Sequence, residues 1–230
     1  MEKKFYGIFV AGGQGLRMGV STPKQFLDLE GEPVLQRSIE KFLEACPSIE
    51  VVTVLPREHI DTWKKICSQG SLTCRQLLVE GGITRFHSVK NALARIPAGV
   101  TVLVHDGVRP LLSVGFIRRL IEESGTARAL VPVISIADTL KSVKIDEDGK
   151  MVPSQERDPD RSLVRGAQTP QIFRSEDLKA AYSLPYDTRF TDDASVAAAY
   201  GIPITYTEGE KYNLKITTPE DLALAKLIFS

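Results

Sequence analysis

Glycines and cations that could bind a phosphate group stand near the start of the chain. Residues 10–19 read VAGGQGLRMG, and residues 23–26 read PKQF. Three glycines fall within four positions of this loop: Gly12, Gly13 and Gly15. Because glycine has no Cβ, a ligand can approach the backbone amides closely, and converging amides bind anions. Arg17 adds a forked donor and Lys24 a point charge, so the pattern favours a phosphate-binding loop over a tight turn with two surface cations.

The spacing separates this loop from two common nucleotide-binding loops. It lacks the Gly-Lys-Ser/Thr ending of a P-loop. It differs by one residue from the dinucleotide fingerprint Gly-x-Gly-x-x-Gly, because Met18 stands where the third glycine belongs. That fingerprint also requires an acidic residue at the end of the second strand, whereas the predicted strand over residues 50–55 is followed by Pro56 and Arg57. A nicotinamide-binding loop is therefore disfavoured.

A candidate metal ligand follows a predicted buried strand in the segment VHDGVRP, residues 104–110. An aspartate at a strand end, here Asp106, can hold Mg²⁺, which takes one or two carboxylates together with phosphate oxygens. Arg109 could reach a second phosphate, although an arginine at a strand end is often only solvated. We expect His105 to be oriented by packing rather than to act as a ligand. A plain surface loop is the alternative.

Four other segments carry polar groups that could contact a ligand. Residues 80–89, EGGITRFHSV, form a second glycine turn before a predicted helix, where a base edge could be hydrogen-bonded. Residues 168–171 and 191–194 each offer a threonine hydroxyl near a predicted helix start, where capping is the usual role. Lys215, flanked by apolar residues, is either an edge-strand cation or a phosphate ligand.

Composition favours an ordinary globular protein without a bulk electrostatic field. The chain has 230 residues, of which 43% are hydrophobic and 25% charged, and 29 basic residues balance 29 acidic ones. A net charge of zero disfavours nucleic acid and acidic membranes as partners, so an anionic substrate must be held by local cations. No apolar run approaches the length of a membrane span. Three cysteines without a Cys-x-x-Cys pair predict reduced, mostly buried thiols in a cytoplasmic protein.

Strand and helix patterns alternate along the chain, which predicts a doubly wound α/β sheet with its ligand at the carboxyl ends of the strands. Strands are predicted at residues 5–11, 50–55, 77–79, 100–104, 129–136 and 202–207. Helices are predicted at residues 33–46, 58–68, 85–96, 175–183, 192–200 and from Thr218 onward. The apolar run at residues 100–104 is typical of a parallel strand covered on both faces.

A change in pattern begins at Asp138. Residues 139–145 alternate, residues 146–149 form a DEDG turn, and a charged stretch continues to Arg161. This pattern predicts a β-hairpin that projects from the body of the protein, with a disordered loop as the alternative.

Six motifs occur in an order that resembles one enzyme family over essentially the whole chain. They are VHDxxRP, GGxxRxxSV, DTLK, TPQxF, TDDAS and NxKITxPEDL, which accompany the AGGxGxRM loop and its PKQ segment. Together they resemble the 2-C-methyl-D-erythritol 4-phosphate cytidylyltransferases. The resemblance implies a Rossmann-like nucleotidyltransferase domain over residues 1–230, with residues 138–161 as a dimerisation arm. It also implies Mg²⁺-dependent transfer of a cytidylyl group from CTP to the polyol phosphate, with release of pyrophosphate.

The resemblance further implies a role for each matching residue. The catalytic residues are Arg17 and Lys24, which stabilise the transition state, and Arg161 and Lys215, which position the attacking phosphate. Nucleotide-binding residues are Ala11, Gly12, Gly13, Gly15, Arg17, Lys24, Gly82, Ser88, Asp106 and Gly107, of which Asp106 also holds the metal. The polyol phosphate is bound by Arg109, Thr139, Asp160, Arg161, Thr191 and Lys215. The arm reaches the active site of the partner in a homodimer.

The chain also departs from the family pattern. Ile83 stands where some members have an acidic residue, and Gly12 and Gly107 replace common alanines. The VAGG form of the loop also occurs in ribitol-5-phosphate cytidylyltransferases, although residues 85–89 favour the erythritol enzymes. Molybdenum-cofactor guanylyltransferases are a second alternative, but their loop is usually followed by Asp-Lys. A non-catalytic nucleotide-binding protein is the third.

Overall fold

A computed structural model describes residues 4–13 and 22–229. The main sheet contains β1 (Phe5–Val10), β4 (Glu50–Leu55), β5 (Gln76–Glu80), β6 (Thr101–Asp106), β7 (Ala129–Ser135), β10 (Arg165–Ala167), β11 (Gln171–Arg174) and β12 (Ile204–Glu208). Two short hairpins are formed by β2 (Asp28–Leu29) with β3 (Glu32–Pro33) and by β8 (Val143–Ile145) with β9 (Met151–Pro153). The helices are α1 (Val34–Ala45), α2 (Arg57–Gln69), α3 (Arg85–Leu93), α4 (Val114–Glu123), α5 (Ser175–Ala181), α6 (Asp193–Ala199) and α7 (Pro219–Phe229).

The sheet is mostly parallel, as the sequence predicts. Its strand order is β10-β7-β11-β6-β1-β4-β5, and β12 pairs with β7. Strand β1 is parallel to both β4 and β6, and β5 is parallel to β4. The carboxyl ends of these four strands therefore meet at one edge of the sheet, where α/β folds bind their ligands.

Apolar side chains alternate between the two faces of the central strands and build a core on each side. On β1, Ile8 packs in the core beneath α3, α5 and α6, and Phe9 packs in the core beneath α1, α2 and α4. Both side chains are fully buried. Since successive strand residues point to opposite faces, helices cover both sides of the sheet. The prediction of a doubly wound α/β sheet is thus confirmed.

Among the strands of the main sheet and the helices that cover it, three described elements are not among the sequence predictions. Strand β11 inserts antiparallel between β6 and β7, and β10 pairs antiparallel with β7. Helix α4 packs on the sheet after a Ser113 cap whose hydroxyl accepts from the Phe116 amide. The short strands provide too few residues for a clear alternation, which explains why the pattern does not indicate them.

The predicted hairpin is present and forms a sheet of its own. Val143 pairs with Pro153 and Ile145 with Met151 in an antiparallel register. At the turn, Asp146 Oδ1 accepts from the amides of Asp148 and Lys150, and Gly149 has a φ of 78°. The left-handed backbone at this glycine closes the turn without steric strain.

Some details differ from the sequence predictions. Helix α3 ends at Leu93 rather than at Ile96. The three cysteines are free thiols that are partly buried and pack against the core beneath α1, α2 and α4. Among the residues described, no helix is long and apolar enough to cross a membrane.

Candidate active site

A cleft of about 700 Å³ lies at the carboxyl ends of the parallel strands. It is lined by both glycine turns and by charged side chains from distant parts of the chain. Eight residues implicated by the sequence line it: Ala11, Gly12, Gly13, Lys24, Gly82, Ser88, Asp106 and Lys215. The structure therefore brings together in one cleft most of the residues expected to bind a nucleotide.

Residues 11–13, the described part of the first glycine loop, continue directly from β1. The Ala11 amide donates to the Val54 carbonyl at 2.9 Å, which fixes the start of the turn. A Cβ on Gly13 would lie 3.3 Å from Lys24 Cε, so the lysine stem packs closely on this backbone. Lys24 begins a short 3₁₀ helix, and its Nζ donates to the Ile216 carbonyl at 3.3 Å. Gly15 and Arg17 lie outside the residues that the structure describes.

The second glycine turn is held by the Ser88 hydroxyl. Ser88 Oγ accepts from the Gly82 amide at 3.0 Å and donates to the Thr84 carbonyl at 3.0 Å. Thr84 in turn caps α3 by accepting from the His87 amide. A Cβ on Gly82 would approach His87 Cβ to 2.3 Å, which explains why this position has no side chain. Ser88 thus shapes the turn that lines the cleft.

We expect Gly82→Ala to lower the free energy of unfolding by about 1–3 kcal/mol, because the new methyl group overlaps the first turn of α3. Gly115→Ala is the matched control, since a Cβ there meets Ser113 Oγ only at 3.9 Å. That helical substitution should instead stabilise by about 0.5–1 kcal/mol. Chemical denaturation of both variants measures the difference. Equal stability of the two would contradict the steric explanation for Gly82.

Asp106, at the end of β6, is surrounded by three cations. Its Oδ2 lies 2.9 Å from Lys215 Nζ and 3.4 Å from Arg109 Nε, and its Oδ1 lies 3.5 Å from Arg85 Nε. Burial alone would raise the pKa of this carboxyl, but the charges of Arg85, Lys215 and Arg109 outweigh it and hold the pKa well below its usual range. Asp106 is therefore a carboxylate at any physiological pH.

Arg85, which is not among the residues predicted to bind a ligand, joins Asp106 to a buried carboxylate. Its Nη2 lies 2.6 Å from Asp193 Oδ2, and its side chain is 27% exposed, toward the cleft. Burial opposes the charge of Arg85, yet Asp193 and Asp106 outweigh burial and raise its pKa. One signal was available, since a cation in the first turn of a helix opposes the helix dipole and indicates a nearby carboxylate.

Thr169 and His105 form polar contacts with each other at the end of β6, next to Asp106. Thr169 Oγ1 accepts from the Asp106 amide at 3.0 Å and contacts His105 Nδ1 at 3.1 Å. Burial lowers the pKa of His105 to about 3, so the ring is neutral, and it packs beside Phe9 and Phe42. The expectation that packing orients His105 is consistent with this environment. Thr169 precedes β11 rather than a helix, so its predicted capping role is wrong.

The segment after β12 supplies Lys215 without forming a strand. Residues 213–217 have no regular secondary structure, so the interpretation of Lys215 as an edge-strand cation is wrong. Arg109 Nη1 donates to the Asn213 carbonyl at 2.8 Å, which ties this segment to the end of β6. Gly107 also has a packing role, because a Cβ there would approach Leu35 Cδ1 to 2.6 Å.

The remaining predicted residues do not line this cleft in the chain that the structure describes. Thr139 is exposed on the arm, and Arg161 Nη1 donates there to the Ala137 carbonyl. Asp160 caps a short 3₁₀ helix by accepting from the Ser162 amide at 2.9 Å. Thr191 is exposed, and its neighbour Asp192 caps α6 instead. The substrate-binding roles of these residues stay predictions.

Comparison with known proteins decides between the possible families. The family model described as IspD, 2-C-methyl-D-erythritol 4-phosphate cytidylyltransferase, matches residues 6–230. The chain belongs to this family. The resemblance drawn from the motifs is thereby confirmed, and so is the nucleotidyltransferase fold.

Relatives and solved structures of the IspD family match along the whole chain. A 2-C-methyl-D-erythritol 4-phosphate cytidylyltransferase of Bacteroides thetaiotaomicron is 42% identical over 221 residues, which are 96% of this chain and 97% of that protein. The Porphyromonas gingivalis relative of the same name is 41% identical over 232 residues, with full coverage of both chains. A crystal structure of 4-diphosphocytidyl-2C-methyl-D-erythritol synthase superposes with a TM-score of 0.81 at 26% identity, covering 100% of both chains. The Francisella tularensis IspD structure gives 0.77 at 29% identity, over 98% of this chain and 100% of that one.

Proposed function

We propose that this IspD-family chain transfers a cytidylyl group from CTP to 2-C-methyl-D-erythritol 4-phosphate and releases pyrophosphate. The observation that carries the proposal is the cleft, in which two glycine turns face a strand-end carboxylate ringed by cations. The phosphate of the acceptor attacks the α-phosphorus of CTP. This nucleophile is already an anion, so the reaction needs no general base. Catalysis then consists of positioning and charge stabilisation.

The first glycine turn is proposed to bind the triphosphate. Ala11, Gly12 and Gly13 offer backbone to the cleft, and Lys24 brings its ammonium group to the same wall. In this proposal Lys24 and Arg17 neutralise the charge that accumulates on the α-phosphate during transfer. The second turn, Gly82 with Ser88, lies in the same cleft and is proposed to bind the cytidine.

The polyol phosphate is proposed to bind near Lys215 and Arg109. Both side chains approach the same oxygen of Asp106, so two positive charges face one corner of the site. In the proposal Thr139, Thr191, Asp160 and Arg161 complete this pocket when the arm of a partner subunit reaches it.

Asp106 fits the role of a Mg²⁺ ligand. The described residues contain no cluster of three or more side chains that would form a complete metal cage. Mg²⁺ needs none, because it commonly binds through one or two carboxylates and completes its coordination with phosphate oxygens and water. The Lys215 ammonium, 2.9 Å from Oδ2, shows that this carboxylate accepts a cation. When bound, Mg²⁺ would neutralise part of the triphosphate charge.

Asp106→Asn is expected to raise the Mg²⁺ concentration needed for half-maximal activity and to lower turnover, while leaving the fold intact. The amide keeps the shape of the side chain but removes the charge that a hard cation requires. A Mg²⁺ titration of the activity, together with thermal unfolding, measures both effects. Asp187→Asn is a control, since Asp187 pairs with Arg189 at the surface. An unchanged titration in Asp106→Asn would place the metal site elsewhere.

The arm is proposed to dock on a second copy of the chain. Val143, Ile145 and Met151 are exposed on its strands, and Leu163 is exposed where the arm returns to the sheet. An isolated two-stranded hairpin is marginally stable in water, so a partner surface is a natural support. In the proposed homodimer, Arg161 of each arm enters the active site of the other subunit.

Pyrophosphate release from CTP with different acceptors tests the proposed function. We expect release with 2-C-methyl-D-erythritol 4-phosphate and little with ribitol 5-phosphate or with no acceptor. Preference for ribitol 5-phosphate would identify the alternative cell-wall enzyme. Binding of CTP without turnover on either acceptor would favour a nucleotide-binding protein without catalysis.

A further inference from the structure

A buried carboxylate behind the cleft holds Arg85 in place. Asp193, in the first turn of α6, is fully buried. Its Oδ1 accepts from the Tyr182 hydroxyl at 2.6 Å, and its Oδ2 accepts from Arg85 Nη2 at 2.6 Å. A buried carboxylate without such partners would be strongly destabilising, so both contacts fix the Asp193 side chain firmly.

Arg85 is shared unequally between two carboxylates. Its closest approach to Asp193 is 2.6 Å, whereas its approach to Asp106 is 3.5 Å. Charge-assisted hydrogen bonds normally have lengths of about 2.7–2.9 Å, so only the contact with Asp193 is a strong one. Asp193 therefore draws the guanidinium away from Oδ1 of Asp106.

We propose that Asp193 and Tyr182 are positioning residues that hold Arg85 back from Oδ1 of Asp106 and so leave that oxygen, rather than the Oδ2 that pairs with Lys215 and Arg109, available to a divalent cation. The proposal rests on the role of Asp106 as the Mg²⁺ ligand in the proposed function. Neither Asp193 nor Tyr182 lines the cleft in the chain described, so both act only through Arg85. Tyr182 contributes a hydroxyl that orients the Asp193 carboxylate toward Arg85.

The proposal predicts opposite effects of two substitutions on metal binding. Asp193→Asn keeps the shape of the side chain but removes the charge that attracts Arg85. The guanidinium then turns to Asp106 and competes there with the cation. The Mg²⁺ concentration at the midpoint of CTP binding should rise about tenfold, a typical loss when the surroundings of a metal ligand are disturbed. Adding Arg85→Met removes the competitor and should bring the midpoint back to the wild-type value or below it.

Calorimetric titration of CTP at a series of Mg²⁺ concentrations measures these midpoints without turnover. The variants are Asp193→Asn, Tyr182→Phe, Arg85→Met with Asp193→Asn, and Asp106→Asn. Tyr182→Phe should raise the midpoint by a smaller factor, because it removes one hydroxyl and leaves the ion pair. Tyr182→Phe also tests the proposal if Asp193→Asn does not fold. Val196→Ala controls for loss of packing, since Val196 is an apolar core residue buried on the same helix. It should lower the melting temperature without changing the midpoint.

Three results would overturn the proposal. The first is a wild-type midpoint in folded Asp193→Asn together with a raised midpoint in Asp106→Asn, which would leave the metal site intact but remove the positioning role. The second is a double variant with the same raised midpoint as Asp193→Asn, which would show that Arg85 is not the competitor. The third is an unchanged midpoint in Asp106→Asn, which would reject the metal site of the proposed function itself.

Discussion

Lys24→Ala is expected to lower turnover by roughly 10²-fold or more, the usual effect of removing one preorganised charge stabiliser. The lysine stem packs on the Gly13 backbone and its ammonium group reaches the Ile216 carbonyl, so the charge stands at a fixed place in the cleft. Because the proposed role of this charge is to stabilise the transition state, the loss should appear in kcat as well as in kcat/KM. Arg17→Ala should cause a loss of similar size, since both cations follow the same glycine loop.

Pyrophosphate release at saturating CTP and acceptor measures this loss, and thermal unfolding shows whether each variant is folded. Lys64→Ala is a matched control, because Lys64 is an exposed lysine on α2 that pairs with Asp61. It should retain full turnover. Near wild-type turnover in folded Lys24→Ala would remove Lys24 from the catalytic residues.

Mixed dimers of Lys24→Ala and Arg161→Ala chains should recover activity that neither parent has. In the proposed homodimer, each parent variant lacks one of the two proposed catalytic cations in both of its sites and should be nearly inactive. In the heterodimer, one site combines the body of the Arg161→Ala chain with the arm of the Lys24→Ala chain, and both relevant residues are intact there. About half of the wild-type activity should return, because one site in two is complete.

Co-expression with two different affinity tags and sequential purification gives the heterodimer for this measurement. Chains carrying Lys24→Ala and Lys64→Ala supply the control pair, and the assay is again pyrophosphate release. If Arg161 acted within its own subunit, every site in the mixed dimer would still lack one residue. A purified heterodimer as inactive as its parents would therefore reject the shared site.

Local patterns were sufficient to predict the parallel part of the sheet. The apolar run that becomes β6 and the amphipathic pattern that becomes α1 each depend on a few consecutive residues. Strand β11 forms instead because it pairs with both β6 and β7 in the space between them. The residues of those two strands are remote from β11 in the sequence. Tertiary pairing of this kind leaves little trace in a four-residue segment, so the sequence alone does not predict this strand.

In the candidate site too, residues with a local sequence signal could be predicted, and residues that depend on remote partners could not. Asp106 was predicted because an aspartate directly after an apolar strand pattern is a signal contained in a few consecutive residues. Arg85 has only the weak local signal of a cation in the first turn of α3, because its partner Asp193 is 108 residues away in the sequence. The structure also shows that a side chain on Gly107 would collide with Leu35, which is remote in the sequence, so no local pattern contains this cause.

The pairing of β7 with β10 would allow the arm to be replaced by a segment of different length or sequence. Ser135 on β7 lies opposite Arg165 on β10, so the chain leaves the sheet and returns to it at adjacent positions. Residues opposite each other in an antiparallel pair have Cα atoms only about 4.5–5.5 Å apart. An excursion of any length can therefore be closed between them without moving the strands. The arm can therefore be exchanged as a unit, and in the proposed homodimer arms from related chains, grafted between these two residues, would build pairs of subunits that recognise only each other.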